Sequence, residues 1–228
     1  MFFKEINIEE WKRKEYFEHF TKNEPCTASI TLKLDITNIK KLNLKVYPAL
    51  IYALTKTVNQ FEEFRTNKNS QGILGIYETL YPCYAYLKKG NELFTNLWSD
   101  SINSYSEFYN SYIHDTTEYG NIQKLIGKDN VPENSFSISM EPWFTFDGFN
   151  LNLKNGYDYF FPIFTLGKFF LDNEKYLIPL SIQVNHAVCD AFYLQRFLEK
   201  LEELINTDET FFDTPTTKVV DFTELAVK

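Results

Sequence analysis

The sequence predicts an α/β domain in which helices cover a mixed β-sheet. Some segments alternate apolar and polar residues as half-buried strands do, and others repeat apolar residues at three and four positions as amphipathic helices do. No internal repeat or linker-like stretch divides the 228 residues, a length that suits one large domain with a full core. We therefore expect a single domain over residues 1–206, followed by a polar, threonine-rich extension over residues 207–228.

In the first half of the chain, residues 7–20 predict a short helix whose apolar residues stand among charged neighbours. Residues 27–36 alternate like a half-buried strand. Residues 47–61 show helical spacing, with Pro48 at a first-turn position that tolerates proline. The remaining predictions in this half are strands over 74–87 and 93–98 and a mostly helical segment over 104–127.

The second half is richer in strands, with two predicted over residues 135–140 and 163–171. Over residues 176–185 the even positions are apolar and form one face, which would include His186 if the strand continued that far. Residues 192–205 carry apolar side chains at helical spacing, which predicts a helix with one buried stripe.

Charge and cysteine usage exclude several classes of function. The net charge of −8 argues against a nucleic-acid partner, because such binding depends on clustered lysine and arginine. The three cysteines are widely spaced without a CxxC pair, so neither a zinc site nor a disulfide framework is expected. No apolar run approaches the roughly 20 residues that span a bilayer. We expect a soluble cytoplasmic protein without a membrane partner.

The junction between the last strand and the last helix carries the most informative side chains. His186 stands four residues before Asp190, and the chain has only three histidines. Histidine is the side chain best suited to move a proton near neutral pH. In the alternative interpretation, His186 is satisfied by the backbone and Asp190 caps the following helix. A Ser-His-Asp triad is not supported, because the chain has no nucleophile motif such as GxSxG.

Five segments, taken together, resemble the trimeric, histidine-dependent chloramphenicol acetyltransferase family. They occur in the family's order, and the spacing from Ser139 to Thr165 to His186 fits as well. The resemblance covers roughly residues 1–206 and implies a two-layer α+β sandwich. The segments are Trp11–Glu18, Lys45–Tyr52, Asn134–Trp143 with Phe149–Asn152, Pro162–Lys168, and Gln183–Phe192.

The resemblance implies an acetyl-CoA-dependent O-acetyltransferase that inactivates chloramphenicol at its 3-hydroxyl. His186 would act as general base, and the hydroxyl would attack acetyl-CoA directly without an acyl-enzyme. Ser139 would stabilise the developing oxyanion, with Thr165 helping through a bound water. Asp190 would pair with Arg13 and hold the histidine loop in place. Alternatively, Ser139 would be an ordinary strand serine, and Arg13 would be a solvated arginine.

The same resemblance implies the partners. The protein would be a homotrimer with active sites between subunits, and no metal would be needed. Coenzyme A would contact Lys45, Tyr47, Trp143 and Lys168, of which the lysines could otherwise be solvated surface charges. Chloramphenicol would lie among Phe20, Cys26, Phe94, Phe149 and Leu151, for which ordinary core packing is the alternative.

The chain departs from the family pattern near the acceptor. Phe20 replaces a usual tyrosine and Ala28 a frequent aromatic residue; Asn185, Ala191 and Tyr193 alter the flanks of His186. Two other hypotheses therefore stand beside chloramphenicol acetylation: the same chemistry on another hydroxylated molecule, and a non-catalytic trimer that binds small apolar ligands. Retention of Ser139, Thr165, His186, Asp190 and Arg13 together favours an enzyme.

Overall fold

The computed structural model describes residues 2–88, 90–153, 158–207 and 210–213, which contain ten β-strands and six α-helices. The strands are β1 (Phe3–Glu5), β2 (Thr27–Asp35), β3 (Thr66–Lys68), β4 (Leu74–Tyr77), β5 (Tyr81–Tyr86), β6 (Thr95–Trp98), β7 (Ser135–Met140), β8 (Ile163–Leu166), β9 (Phe170–Asp172) and β10 (Lys175–Asn185). The helices are α1 (Lys14–Glu18), α2 (Thr37–Lys41), α3 (Val46–Val58), α4 (Glu62–Arg65), α5 (Tyr105–Glu118) and α6 (Ala191–Asn206).

A seven-stranded mixed sheet forms the centre of the fold and confirms the predicted class. Its order is β2-β10-β8-β7-β5-β6, with β9 paired to the start of β10. Strand β10 runs antiparallel to both β2 and β8, whereas β7 runs parallel to β8 and to β5. A separate three-stranded sheet has the order β1-β4-β3. The candidate site residues Ser139, Thr165 and His186 lie on β7, on β8 and just beyond the end of β10.

Helices α3, α5 and α6 pack together over the sheet. Helix α3 is buried around most of its circumference from Pro48 to Val58, which is typical of a core helix. Helix α6 buries Phe197 completely, with its ring stacked 4.6 Å from that of Phe64 and 5.5 Å from that of Phe164 on β8. This aromatic stack fixes α6, and therefore the loop that precedes it, against the sheet.

The opposite side of β10 is buried as well, because a loop covers its polar side chains. Ser181 Oγ donates to the carbonyl of Phe149, and Gln183 Oε1 accepts from the N–H of Leu151 at 3.1 Å. Strand β10 ends at Asn185, so the strand alternation predicted for residues 176–185 does not extend to His186. The position of the histidine ring is set by the loop instead.

Several predicted elements are divided in the structure. The helix predicted over 7–20 is a 3-10 turn (Ile8–Glu10), α1 and a π-helical turn (His19–Asn23). The strand predicted over 74–87 is split between the two sheets, and the strand over 163–171 is interrupted where Gly167 bonds to the carbonyl of Pro179. The helix predicted over 104–127 ends at Glu118, two residues before Gly120.

Only a few residues of the predicted extension are described. Phe212 is buried, and its ring lies 5.2 Å from that of Tyr105 in an edge-on contact. Residues 208–209 and 214–228 lie outside the described residues, so the domain boundary stays a prediction. Within the described ranges, no helix combines the length and the apolar character needed to cross a membrane.

The aromatic stack on α6 gives a stability prediction. Phe197→Ala should lower the free energy of unfolding by about 3–5 kcal/mol, because loss of the ring would leave a cavity beside the rings of Phe64 and Phe164. Phe192→Ala, on the same helix but with 62% of the residue exposed, should change it by less than about 0.5 kcal/mol. Urea denaturation measures both, and equal losses would contradict the described packing.

Candidate active site

Residues 186–190, here called the histidine loop, connect β10 to α6 through a tight turn. The main-chain N–H groups of Val188 and Cys189 both donate to the carbonyl of Asn185, at 3.2 and 3.0 Å. The N–H of His186 donates to the carbonyl of Cys26, at the start of β2. The loop is therefore held by main-chain bonds to the end of β10 and to the residue that precedes β2.

The loop determines which nitrogen of His186 carries the proton. Nδ1 lies 3.3 Å from the carbonyl oxygen of Cys189. Because a carbonyl oxygen can only accept, Nδ1 carries the proton in the neutral ring and Nε2 keeps its lone pair. The imidazole also packs on the ring of Phe20, with centroids 4.2 Å apart. His186 is thus oriented with Nε2 available as a proton acceptor.

Arg13, just before α1, binds the histidine loop with three separate donors. Its Nε donates to the carbonyl of Ala187 at 2.8 Å, and its Nη2 donates to that of His186 at 3.0 Å. Its Nη1 makes an ion pair with Asp190 Oδ2 at 3.0 Å. Only 13% of the arginine side chain is exposed, so these bonds are partly shielded from water. A planar guanidinium presents donors from three nitrogens in a rigid fork, whereas an ammonium group has its donors on a single nitrogen.

Asp190 serves two partners at once. Its Oδ2 accepts from Arg13, and its Oδ1 accepts from the N–H of Phe192 at 3.2 Å as the N-cap of α6. A carboxylate at a helix N-terminus also interacts favourably with the helix dipole. Helix capping and pairing with Arg13, which the sequence presented as alternatives, are therefore compatible.

Two tyrosines that the sequence analysis did not assign to the site lie against Arg13. The rings of Tyr16 and Tyr193 are each centred 5.7 Å from the guanidinium carbon, within the range of a cation–π interaction. Burial raises the pKa of Tyr193, and the nearby Glu63 raises it further. Tyr16 lies within the Trp11–Glu18 segment, and this position is the sequence signal that could have assigned it to the site.

An open cavity of about 660 Å³ lies beside His186. Phe20 and His186 line it together with Arg13 and Asp190, and Cys26 touches the site through its carbonyl. The other lining residues are Lys14, Glu15, Tyr16, Glu18, His19 and Asn23. The cavity offers an apolar surface next to the imidazole, with charged groups at its rim.

Ser139 and Thr165 form a second group of polar side chains on adjacent strands. They are opposite each other in the parallel pairing of β7 with β8, and Ser139 Oγ donates to Thr165 Oγ1 at 3.1 Å. Thr165 is buried and Ser139 is half-buried. The pair presents two hydroxyls at one point of the sheet.

The two groups are far apart within one chain. Thr165 pairs with Ser181 on β10, and His186 follows Ser181 by five residues. At about 3.3 Å per residue, this separation is roughly 17 Å along the sheet. A substrate atom in contact with His186 therefore cannot also reach Ser139 of the same chain.

The four residues expected to contact coenzyme A lie outside the cavity lining. Lys45 directly precedes α3. The hydroxyl of Tyr47 lies 2.9 Å from the carbonyl of Ala85 and 3.3 Å from that of Ile138, and burial raises its pKa. Trp143 is 56% exposed. The N–H of Lys168 donates to the carbonyl of Phe144, which ties its segment to that of Trp143.

The five residues expected to contact the acceptor are not gathered in one place. Phe20 and Cys26 lie at His186. Phe149 and Leu151 lie over β10 at the level of Ser181 and Gln183, and Phe94 is exposed just before β6. One chain thus does not bring the five residues together into one closed pocket. In the part of the chain that is described, no group of three or more acidic, histidine or cysteine side chains could hold a metal ion.

Comparison with known proteins identifies relatives over nearly the whole chain. The family model described as chloramphenicol acetyltransferase matches residues 1–202. A chloramphenicol acetyltransferase of Clostridium perfringens is 48% identical, with 91% of this chain and all of the relative covered. One of Staphylococcus aureus is 42% identical, with 90% of this chain and 97% of the relative covered.

Solved structures share the fold at low sequence identity. A chloramphenicol acetyltransferase superposes with a TM-score of 0.75 at 20% identity, covering 89% of this chain and 99% of that one. A dihydrolipoamide acetyltransferase of Azotobacter vinelandii superposes with a TM-score of 0.62 at 17% identity, covering 84% and 85%. These similarities support the two-layer mixed-sheet fold.

The contacts of Arg13 predict a large effect on stability. Arg13→Ala should lower the free energy of unfolding by about 2–4 kcal/mol, because two carbonyls and a partly buried carboxylate lose their partner. Asp190→Asn should cost only about 1 kcal/mol, since asparagine still caps α6. Arg196→Ala, at an exposed position of α6, is the matched control. Urea denaturation at fixed protein concentration separates the three variants, and a cost for Arg13→Ala no larger than that for Arg196→Ala would disprove the anchoring role.

Proposed function

This chain belongs to the chloramphenicol acetyltransferase family, and we propose that it transfers the acetyl group of acetyl-CoA to the 3-hydroxyl of chloramphenicol. The observation that carries the proposal is the orientation of His186. Its Nδ1 is held by the carbonyl of Cys189, so Nε2 can accept a proton beside an open cavity. A hydroxyl is a poor nucleophile toward a thioester until such a base removes its proton.

The proposed reaction proceeds by direct attack. Nε2 of His186 takes the proton of the 3-hydroxyl as its oxygen bonds to the thioester carbonyl carbon. The carbon–oxygen double bond becomes a single bond to an oxyanion, which gives a tetrahedral intermediate. The oxyanion then reforms the carbonyl and expels the sulfur of coenzyme A, which takes the proton from the imidazolium. The products are the acetyl ester and free coenzyme A, and His186 returns to its neutral form.

The hydroxyl pair is the proposed site of oxyanion stabilisation. Ser139 would turn its hydroxyl from Thr165 to the developing negative charge, and Thr165 would assist through a bound water. A donor already fixed on a strand needs little reorganisation, and loss of one such donor typically costs about 10²–10³ in rate. The hydrogen bond of 3.1 Å between the two side chains supports this assignment.

Arg13 and Asp190 are proposed to support the site without contacting the reacting atoms. Arg13 binds the carbonyls of His186 and Ala187, so it fixes the main chain from which the imidazole extends. Asp190 holds Arg13 and caps α6, which links the loop to the helix core. Because Asp190 makes these contacts, it is not proposed as the third member of a catalytic triad.

The proposal includes a homotrimer with active sites between subunits. The roughly 17 Å along β10 between the Ser139 level and His186 supports it, because the base and the oxyanion donor must both reach one thioester. Large exposed apolar residues support it too, among them Phe94, Trp143 and Leu151. His186 of one subunit would then face the acceptor surface of its neighbour.

Coenzyme A and chloramphenicol are proposed to occupy these surfaces. Lys45 and Lys168 would meet phosphate groups, whereas Tyr47 and Trp143 would contact the rest of the cofactor. Phe20 and Cys26 of one subunit would meet the acceptor together with Phe94, Phe149 and Leu151 of the next. No metal ion has a role in this chemistry.

The catalytic domain is proposed to span residues 1–206, with 207–228 as an extension, and the family match over residues 1–202 supports this division. We place the protein in the cytoplasm. The three free cysteines support a reducing compartment.

Thiol release from acetyl-CoA tests the proposed function. The wild-type protein should release coenzyme A only when chloramphenicol is present, and His186→Ala should lower kcat by about 10²–10⁴-fold because the general base is lost. His114→Ala is the matched control, because His114 lies on α5 away from the histidine loop. Mass spectrometry should find one added acetyl group on chloramphenicol and none on the protein.

Other outcomes would contradict the proposal in different ways. Turnover of another alcohol but not of chloramphenicol would keep the chemistry and change the acceptor, which the phenylalanine at position 20 makes a specific concern. Ligand binding without turnover across a broad panel of alcohols would favour a non-catalytic protein. If thiol release persisted in His186→Ala, His186 would not be the general base.

A further inference from the structure

Asn185 is one of the positions beside His186 at which this chain departs from the family pattern. It is the last residue of β10, is paired with Thr27 of β2, and directly precedes His186. Only 1% of the residue is exposed. Each polar atom of a buried carboxamide is expected to have a hydrogen-bond partner.

Both ends of the carboxamide bind main-chain groups with fixed roles. Oδ1 accepts from the N–H of Ala187 at 2.9 Å, and Nδ2 donates to the carbonyl of Tyr159 at 3.4 Å. An N–H can only donate and a carbonyl can only accept, so these partners determine the orientation of the amide. The contact with Ala187 is a side-chain turn of the kind that asparagine forms with the residue two positions later.

This contact completes the turn that orients the imidazole. The main-chain carbonyl of Asn185 already accepts from Val188 and Cys189, so one residue holds three consecutive N–H groups of the loop. The turn brings the carbonyl of Cys189 back to Nδ1 of His186. Ala187 is fully buried, so without Oδ1 its N–H would be unpaired and the turn would have to shift to satisfy it.

We propose that Asn185 is a positioning residue for the general base, whose carboxamide fixes the turn that keeps the proton of His186 on Nδ1 and the lone pair on Nε2. The residue does not touch the substrate. It acts through the main chain of residues 187–189, so its loss should affect proton transfer rather than substrate binding. The kinetic test of this proposal rests on the proposed function, whereas the tautomer of His186 can be measured without turnover.

Three variants separate this role from ordinary stability. Asn185→Leu has nearly the same shape and removes the polar atoms at both ends of the carboxamide. Asn185→Asp keeps an acceptor for Ala187 and loses the longer donation to Tyr159. Asn59→Leu is the matched control, because Asn59 also uses both ends of its carboxamide, on Leu80, and lies after α3 outside the site.

The direct readout is the tautomer of His186, measured by ¹⁵N NMR of the imidazole nitrogens at a pH where the ring is neutral. The chain has three histidines, so His186→Gln assigns the signal. Wild type, Asn185→Asp and Asn59→Leu should show protonated Nδ1, whereas Asn185→Leu should show a mixture of tautomers. This readout does not depend on which acceptor the enzyme uses, so it remains decisive if chloramphenicol turnover fails.

Steady-state kinetics provides the second readout. Asn185→Leu should lower kcat by about 10²-fold, because a small displacement of a catalytic group is enough for such a loss, while both KM values change less than about twofold. Asn185→Asp should keep kcat within about threefold of wild type. Asn59→Leu should lower the melting temperature without changing kcat.

Two results would overturn the proposal. The first is a folded Asn185→Leu protein with the wild-type tautomer and kcat. The second applies even if Asn185→Leu does not fold: a folded Asn185→Asp protein that loses both the Nδ1 tautomer and kcat would show that the acceptor for Ala187 is not what matters.

Discussion

The pairing register of strand β10 is the constraint on which the rest of the site depends. Nine residues of β10 pair with β2 and four pair with β8, so the strand cannot slide without breaking both ladders. The register places the Ser139–Thr165 pair beside the middle of β10, whereas His186 follows its last residue. One rigid element therefore holds the proposed base and the proposed oxyanion donor apart. Under the proposed mechanism, a second copy of the chain would have to bring its own half of the site.

A rigid sheet alone would leave the histidine loop mobile, and contacts from both sides prevent this. Arg13 reaches the loop from the beginning of the chain with three donors, while Asn185 holds it from the end of β10. Asp190 connects the same loop to α6, whose Phe197 is fixed in the aromatic core. The entropy cost of ordering five loop residues is thus offset by hydrogen bonds and by packing that do not involve the substrate. The imidazole orientation therefore rests on contacts within the chain.

Elements whose apolar residues repeat at a regular spacing along the chain could be predicted from the sequence. Strand Thr27–Asp35 and helix Val46–Val58 agree with their predictions to within a few residues, because alternation and helical spacing persist through them. The break at Gly167 could not be predicted in this way, since it arises where Phe146 and Pro179 approach a glycine from distant segments. For the site, the resemblance supplied the roles of the individual residues. The cation–π contacts around Arg13 and the turn bond of Asn185 required the folded structure, because nothing in the local pattern specifies them.

Subunit mixing tests the central claim that the base and the oxyanion donor come from different copies. His186→Ala and Ser139→Ala chains, each nearly inactive alone, would be coexpressed in equal amounts and purified through two different tags. In a cyclic trimer, every mixed assembly contains one interface of three with both intact groups, so the assemblies that carry both tags should have about a third of the wild-type activity. Activity of the mixed assemblies no higher than that of the separate variants would show that both groups act from one chain, which contradicts this account.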